Sequence, residues 1–87
     1  MNSIIEPRLV SMFYNKKAYH VEIQEGKNVV PYLFVNEVLQ DKNNNWYMST
    51  HNIFFIQGDE LYYFLNDCGG SYVDKVLKHL DQCGILK

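Results

Sequence analysis

Cys68 is the residue with the clearest chemical case, because Gly69-Gly70 and a helical stretch follow it directly. A thiol ahead of a helix N-terminus meets unpaired amides and the positive end of the macrodipole, and both lower its pKa. The histidines are His20, His51 and His79, of which His51 or His79 could serve as a base. His20 falls on the polar side of a predicted strand, His51 near a strand end and His79 on an outer helix face. No two share a metal-ligand spacing, so solvated surface imidazoles are the expectation. Cys68 and Cys83 lie fifteen positions apart with no C-x-x-C pair. That spacing predicts neither a zinc site nor a disulfide framework, and nothing implies a cofactor. Paired carboxylates occur as Asp59-Glu60 and as Glu22 with Glu25. Asp59-Glu60 falls in a predicted tight turn, where exposure suits a rim contact rather than an acid of raised pKa.

The string Asp67-Cys68-Gly69 resembles the nucleophile segment of the ubiquitin-like-protein protease family, in which a D-C-G motif opens a helix. His51, followed by the apolar run Ile53 to Ile56, is similar to that family's histidine strand. The resemblance implies a cysteine hydrolase with Cys68 as nucleophile and His51 as base; apart from the resemblance, His79 is the other base such a hydrolase could use. Such a domain is roughly twice this length. Sixteen positions between His51 and Cys68 leave too little chain for the acid and glutamine the family places there. The expectation is therefore a small, partly buried cysteine at a strand-to-helix junction, and no intrinsic enzymatic activity.

These residues need a scaffold, and 87 of them allow one domain spanning 1–87, near the lower end of self-supporting size. At 47% hydrophobic and 15% aromatic residues, a core can form without staples. The net charge is −2, and Arg8 is the only arginine beside seven lysines. Lys16, Lys17, Lys27 and Lys42 fall in predicted turns, so no basic face for phosphate is in view. The aromatic region from Trp46 to Leu65 holds no Lys or Arg, which a stacking platform for single strands would need. Nucleic acid is not an expected partner. Met1 to Pro7 lacks the basic region and apolar run of a signal peptide, and no segment approaches a membrane-spanning length. A cytoplasmic location away from membranes is expected. The lysine bias, with nine asparagines and abundant Ile and Tyr, is what AT-rich coding produces. It fits a low-GC bacterium, a phage or a virus.

Ala18 to Gln24 alternates cleanly, sending Tyr19, Val21 and Ile23 to a core. Arg8 to Tyr14 is its expected hairpin partner. Val29 to Gln40 reads as strand from its β-branched and aromatic content, with a capped helix as the alternative. Pro31 should mark an edge or a bulge. Asp41 to Asn45 is the strongest loop, and Trp46 to His51 the next strand. Ile53 to Ile56 and Leu61 to Leu65 flank Gly58-Asp59 as a hairpin, pairing Ile56 with Leu61, Phe55 with Tyr62 and Phe54 with Tyr63. Ser71 to Asp74 has the form of a capping box. Val73, Val76, Leu77 and Leu80 follow at helical spacing, and Gly84 stands where a left-handed cap belongs, with Ile85 packing back. The fold class is α+β: an antiparallel meander of five or six short strands over about 8–65, as a sheet or partly open barrel. One amphipathic helix over about 71–82 packs on it. Val21, Ile23, Phe34, Phe54 or Phe55, Val73, Val76, Leu77 and Leu80 form the expected core.

Thirteen aromatic residues exceed what one face of a small sheet requires. The consecutive pairs Phe54-Phe55 and Tyr62-Tyr63 send one ring to either side of a strand. Outward rings favour a protein partner, with Tyr and Trp as frequent anchors. The expected contact surface is Trp46, Tyr47, Tyr62 and Tyr63, rimmed by Asp59 and Glu60. Composition and size fit a small inhibitor, immunity or accessory protein that binds another protein; a structural subunit that self-associates through the same rings is the alternative.

Overall fold

A computed structural model of the chain describes residues 9–86. Arg8, at the start of the expected first strand, lies outside the described residues. Four strands come first: β1 Met12–Tyr14, β2 Lys17–Gln24, β3 Tyr32–Gln40 and β4 Trp46–Gln57. They pair antiparallel in the order β1-β2-β3-β4. Two helices follow, α1 Asp59–Cys68 and α2 Val73–Gln82. The meander therefore has four strands rather than five or six, and it carries two helices rather than one.

Local chemistry sets most of the turns. Asn15 and Lys16 both take positive φ between β1 and β2, the geometry of a type I′ hairpin turn. Between β3 and β4, one Asp41 carboxylate oxygen accepts the amides of Asn43 at 2.8 Å and Asn45 at 2.9 Å. Residues 29–31 precede β3 instead of belonging to it, and Val29 and Val30 are exposed. Pro31 thus stays out of the ladder, while its carbonyl accepts the Gly58 amide at 2.9 Å.

The expected hairpin about Gly58-Asp59 does not form; Asp59–Cys68 is helical. Gly58 does take a positive φ, 74° with ψ −155°, but uses it to turn β4 into a helix. That combination is open almost only to glycine. Leu61, Leu65 and Cys68 then fall on one buried face at helical spacing. Asp59 and Glu60 sit in the first turn, where the macrodipole favours anions. Gly69, left-handed at φ 91°, closes the helix: its amide bonds the Asn66 carbonyl and the Gly70 amide bonds that of Leu65. The strand preference of Tyr62, Tyr63 and Phe64 loses to this spacing and to two terminal glycines.

α2 starts two residues later than expected. Tyr72 is its N-cap, with no side-chain capping bond, so the Ser71–Asp74 capping box is absent. Its C-terminus closes as expected, with Gly84 left-handed and the Ile85 amide on the Leu80 carbonyl at 2.9 Å. Leu86, not Ile85, turns back into the core.

The sheet has one covered and one open face. Tyr19, Val21, Leu33 and Val35 pack with Leu61, Leu65, Cys68, Val76, Leu77, Leu80 and Leu86 in one buried cluster, with Ile23, Phe54 and Val73 against it. Phe34 was an expected core residue, yet it lies on the opposite face. The register pairs Val21 with Val35 and Ile23 with Leu33, so strand parity turns Phe34 away. Phe54 and Phe55 do split as expected: Phe54 stacks on Phe64 at 4.7 Å, and Phe55 is exposed. Tyr14 ties the sheet edge to α2 through its hydroxyl, which donates to Asp81 at 2.9 Å.

β4 is not two strands but one irregular strand. Pairing shifts on either side of Asn36, leaving Ser49 to His51 bulged. The Asn36 amide nitrogen donates to the Ser49 carbonyl at 2.8 Å and so pins the bulge.

Candidate functional site

The thiol site expected from sequence has the opposite geometry. Cys68 ends α1 instead of opening α2. It therefore sits at the carbonyl end of a helix, where the macrodipole opposes a thiolate. Burial pushes its pKa up to about 11, with the Asp67 carboxylate and then Cys83 acting in the same direction. Such a thiol is protonated at neutral pH and is a poor nucleophile.

His79 lines a cleft of about 210 Å³ together with Cys68 and Asp67, but its ring nitrogen meets a different thiol. His51 is exposed on the β4 bulge. His79 contacts Cys83 instead, Nε2 to Sγ at 3.7 Å, and packs edge-on to Phe64 at 5.5 Å, so it is not on an outer, solvated face. His20 is also not simply solvated. Its Nδ1 is 3.0 Å from the Leu9 carbonyl, its Nε2 is 3.2 Å from Glu22, and its ring lies 5.6 Å from Phe34. Glu22 in turn accepts the Tyr32 hydroxyl at 2.8 Å. Those two bonds, Tyr32 first, hold the Glu22 carboxyl below its ordinary range. Among the described residues, no three His, Cys, Asp or Glu side chains gather as a metal site. No helix there is long and apolar enough to cross a membrane.

What the fold does assemble is two separate aromatic surfaces. On the helical side, Tyr62 and Tyr63 leave α1 at 51% and 73% exposure, and Tyr72 is exposed beside the α1–α2 turn. Tyr62 lines an open cleft of about 530 Å³, together with Glu25, Leu65, Asn66 and Gly69 to Ser71. Asp59 and Glu60 are exposed one turn earlier on α1. On the open sheet face, Trp46 packs edge-on to Phe13 at 5.9 Å, and Tyr32 stacks near Phe34 at 6.1 Å.

The six residues expected to form one patch are thus divided. Asp59, Glu60, Tyr62 and Tyr63 share α1, whereas Trp46 and Tyr47 begin β4. The ends of that bulged strand pair with the two ends of nine-residue β3, which separates them by roughly 26 Å. Trp46 looks to the open face, and Tyr47, the next residue along, points the other way. Phe13, Tyr32 and Phe34 were not expected as surface rings, although the signal for Tyr32 and Phe34 was present in the period-2 alternation with Leu33 and Val35; Phe55 is the exposed member of the pair expected to split. Glu25, Asn66 and Ser71 carried no local signal, because only the tertiary fold brings their segments together. No protein-family model, curated protein or solved structure matches this chain.

Proposed function

We propose that this protein is a non-enzymatic binding module, an inhibitor or accessory protein that acts by engaging a surface of another protein through α1. The observation that carries this reading is Tyr62, half exposed on the wall of an open cleft whose other lining is Leu65, the polar Glu25, Asn66 and Ser71, and glycine backbone. A rigid ring beside hydrogen-bonding groups is the composition of a recognition surface. Tyrosine contributes large amphipathic area with few rotatable bonds to fix. Tyr63 extends the ring surface, and Asp59 and Glu60 supply an acidic rim that favours a partner with basic groups at the same border. The non-enzymatic reading is supported by Cys68, whose burial raises its pKa while the nearby His79 contacts Cys83 instead.

The test is capture of a partner on immobilised protein from lysate of the source cell. Tyr62→Ala combined with Tyr63→Ala should abolish capture while leaving the circular dichroism spectrum unchanged, since both rings are exposed. Capture that survives both substitutions would place the contact elsewhere. Rapid alkylation of Cys68 at neutral pH, faster than that of free thiol, would overturn the non-enzymatic reading.

A further inference from the structure

The sheet face turned away from both helices has the anatomy of an interface, and the reading above leaves it unused. We propose that a second copy of this chain covers it, the two sheets packing face to face about a two-fold axis with their strands antiparallel.

Three observations lead there. The first is the layout of the face. By register it carries a ring cluster towards each end, Phe13 (58% exposed) with Trp46 at one and Phe55 (48% exposed) with Tyr32 and Phe34 at the other, about a middle row of His20, Asn36 and Asn52. Its ends are amide: the register aligns Gln24, Tyr32 and Gln57 in one row and Gln40 with Trp46 in another. Exposed aromatic rings set among amide side chains with few charges match the composition of protein interfaces. Sheets stack about 10 Å apart through such side chains, their strand directions within roughly 30°.

The second is charge. Lys16 and Lys42 lie on the β1–β2 and β3–β4 turns, at the Trp46 end of the sheet. Neither is in an ion pair among the described residues. Asp41 shares a turn with Lys42, but its Oδ1 is held by the amides of its own turn. Glu22 is the one carboxylate at a register position of this face, near the opposite, Tyr32 end. Its bonds from Tyr32 and His20 keep it ionised. An antiparallel two-fold arrangement brings each Glu22 over the lysine end of its partner, and a parallel one opposes like charges. A two-fold contact repeats every such pairing twice.

The third is area. Four strands spaced about 4.8 Å apart and about eight residues long give a footprint of roughly 500 Å² per copy. About 1,000 Å² for the pair is the lower bound of a specific interface. An interface at that lower bound is weak and reversible.

Sedimentation equilibrium of the pure protein from about ten micromolar to about one millimolar tests this directly. The wild type should pass from monomer to dimer and dissociate more readily at high salt. Phe13→Lys with Phe55→Lys should raise the dissociation constant at least about tenfold in a chain that circular dichroism shows to be folded, because both rings are already half exposed. Lys16→Glu with Lys42→Glu should weaken the dimer several-fold and reverse its salt dependence, because Glu22 then faces like charge that salt screens. Tyr62→Ala with Tyr63→Ala should leave the dimer intact, which separates this surface from the one on α1. A wild type that stays monomeric throughout, or a dimer that survives Phe13→Lys with Phe55→Lys, overturns the proposal. A dimer lost in that variant yet indifferent to the lysine substitutions overturns the antiparallel arrangement.

Discussion

The two faces of one sheet solve different problems with different residues. Under the helices, β2 and β3 present Val21, Leu33 and Val35, compact side chains that interlock with Leu61, Leu77 and Leu80. On the open side the same strands present His20, Tyr32 and Phe34, planar rings that lie against one another: Phe34 has both neighbours within about 6 Å. Branched aliphatics fill volume between elements that approach from above. Rings arranged edge to edge instead cover a sheet while leaving area for something else to touch. Stability should accordingly be concentrated on one side. Leu77 is fully buried, and Leu77→Ala should lower the unfolding free energy by about 3 kcal/mol, through lost transfer energy and the cavity left behind. Phe55→Ala on the open face should cost less than about 1 kcal/mol. Urea melts of the two variants, made at a concentration where the chain is monomeric, measure the contrast. Equal losses would mean that the open face contributes to the monomer's core after all.

Asn36, paired with His20, is the one polar residue in the buried set among the described residues, at 5% exposure. Its amide nitrogen holds the β4 bulge through Ser49, while its Oδ1 is buried with no partner among the described residues. The bond retained must therefore outweigh an unsatisfied acceptor, which places this residue among those most sensitive to change of charge. Asn36→Asp turns the donor into a second acceptor facing a carbonyl, and should destabilise by about 2 kcal/mol or more. Amide exchange of residues 49–52 should rise with it. Exchange that stays as slow as in the wild type would show that the bulge is held by the strand pairing alone.

The same contrast explains what could be read before the structure. The covered side of α2 was legible because Val76, Leu77 and Leu80 repeat at helical spacing and Gly84 follows them. β2 was legible from strict alternation. α1 was not. Tyr62, Tyr63 and Phe64 prefer strands, and Gly58-Asp59 is as good a hairpin signal as it is a strand-to-helix junction. Only the placement of Leu61, Leu65 and Cys68 against α2 and the sheet decides between them, and that is a tertiary fact. The error carried over to chemistry. Once 61–65 was read as strand, Cys68 fell before a helix rather than at the end of one, and the sign of the dipole at its sulfur reversed. In β3 the strand itself was read correctly, but parity was not followed through, so Phe34 took the place of Leu33 and Val35 in the expected core.

The smallest effect isolates the open face from the core by pH. Glu22 has a lowered folded-state pKa, caused first by the Tyr32 hydroxyl and then by His20. A carboxylate held more acidic in the folded state binds fewer protons there than in the unfolded chain. Its contribution is thus fully present above the ordinary value of 4.5 and is lost as pH falls through the folded value. The Glu22 side chain is 43% exposed, so solvent screens the interaction and the slope should be shallow. Tyr32→Phe removes the leading cause and keeps the ring that stacks near Phe34. Between pH 6 and pH 3, urea melts of Tyr32→Phe should therefore lose less stability than those of the wild type, and the two should converge at the acid end, where Glu22 is protonated in both. Curves that stay parallel over that range would show that the hydroxyl does not hold the carboxylate. They would also weaken the case for a fixed negative charge at that end of the open face.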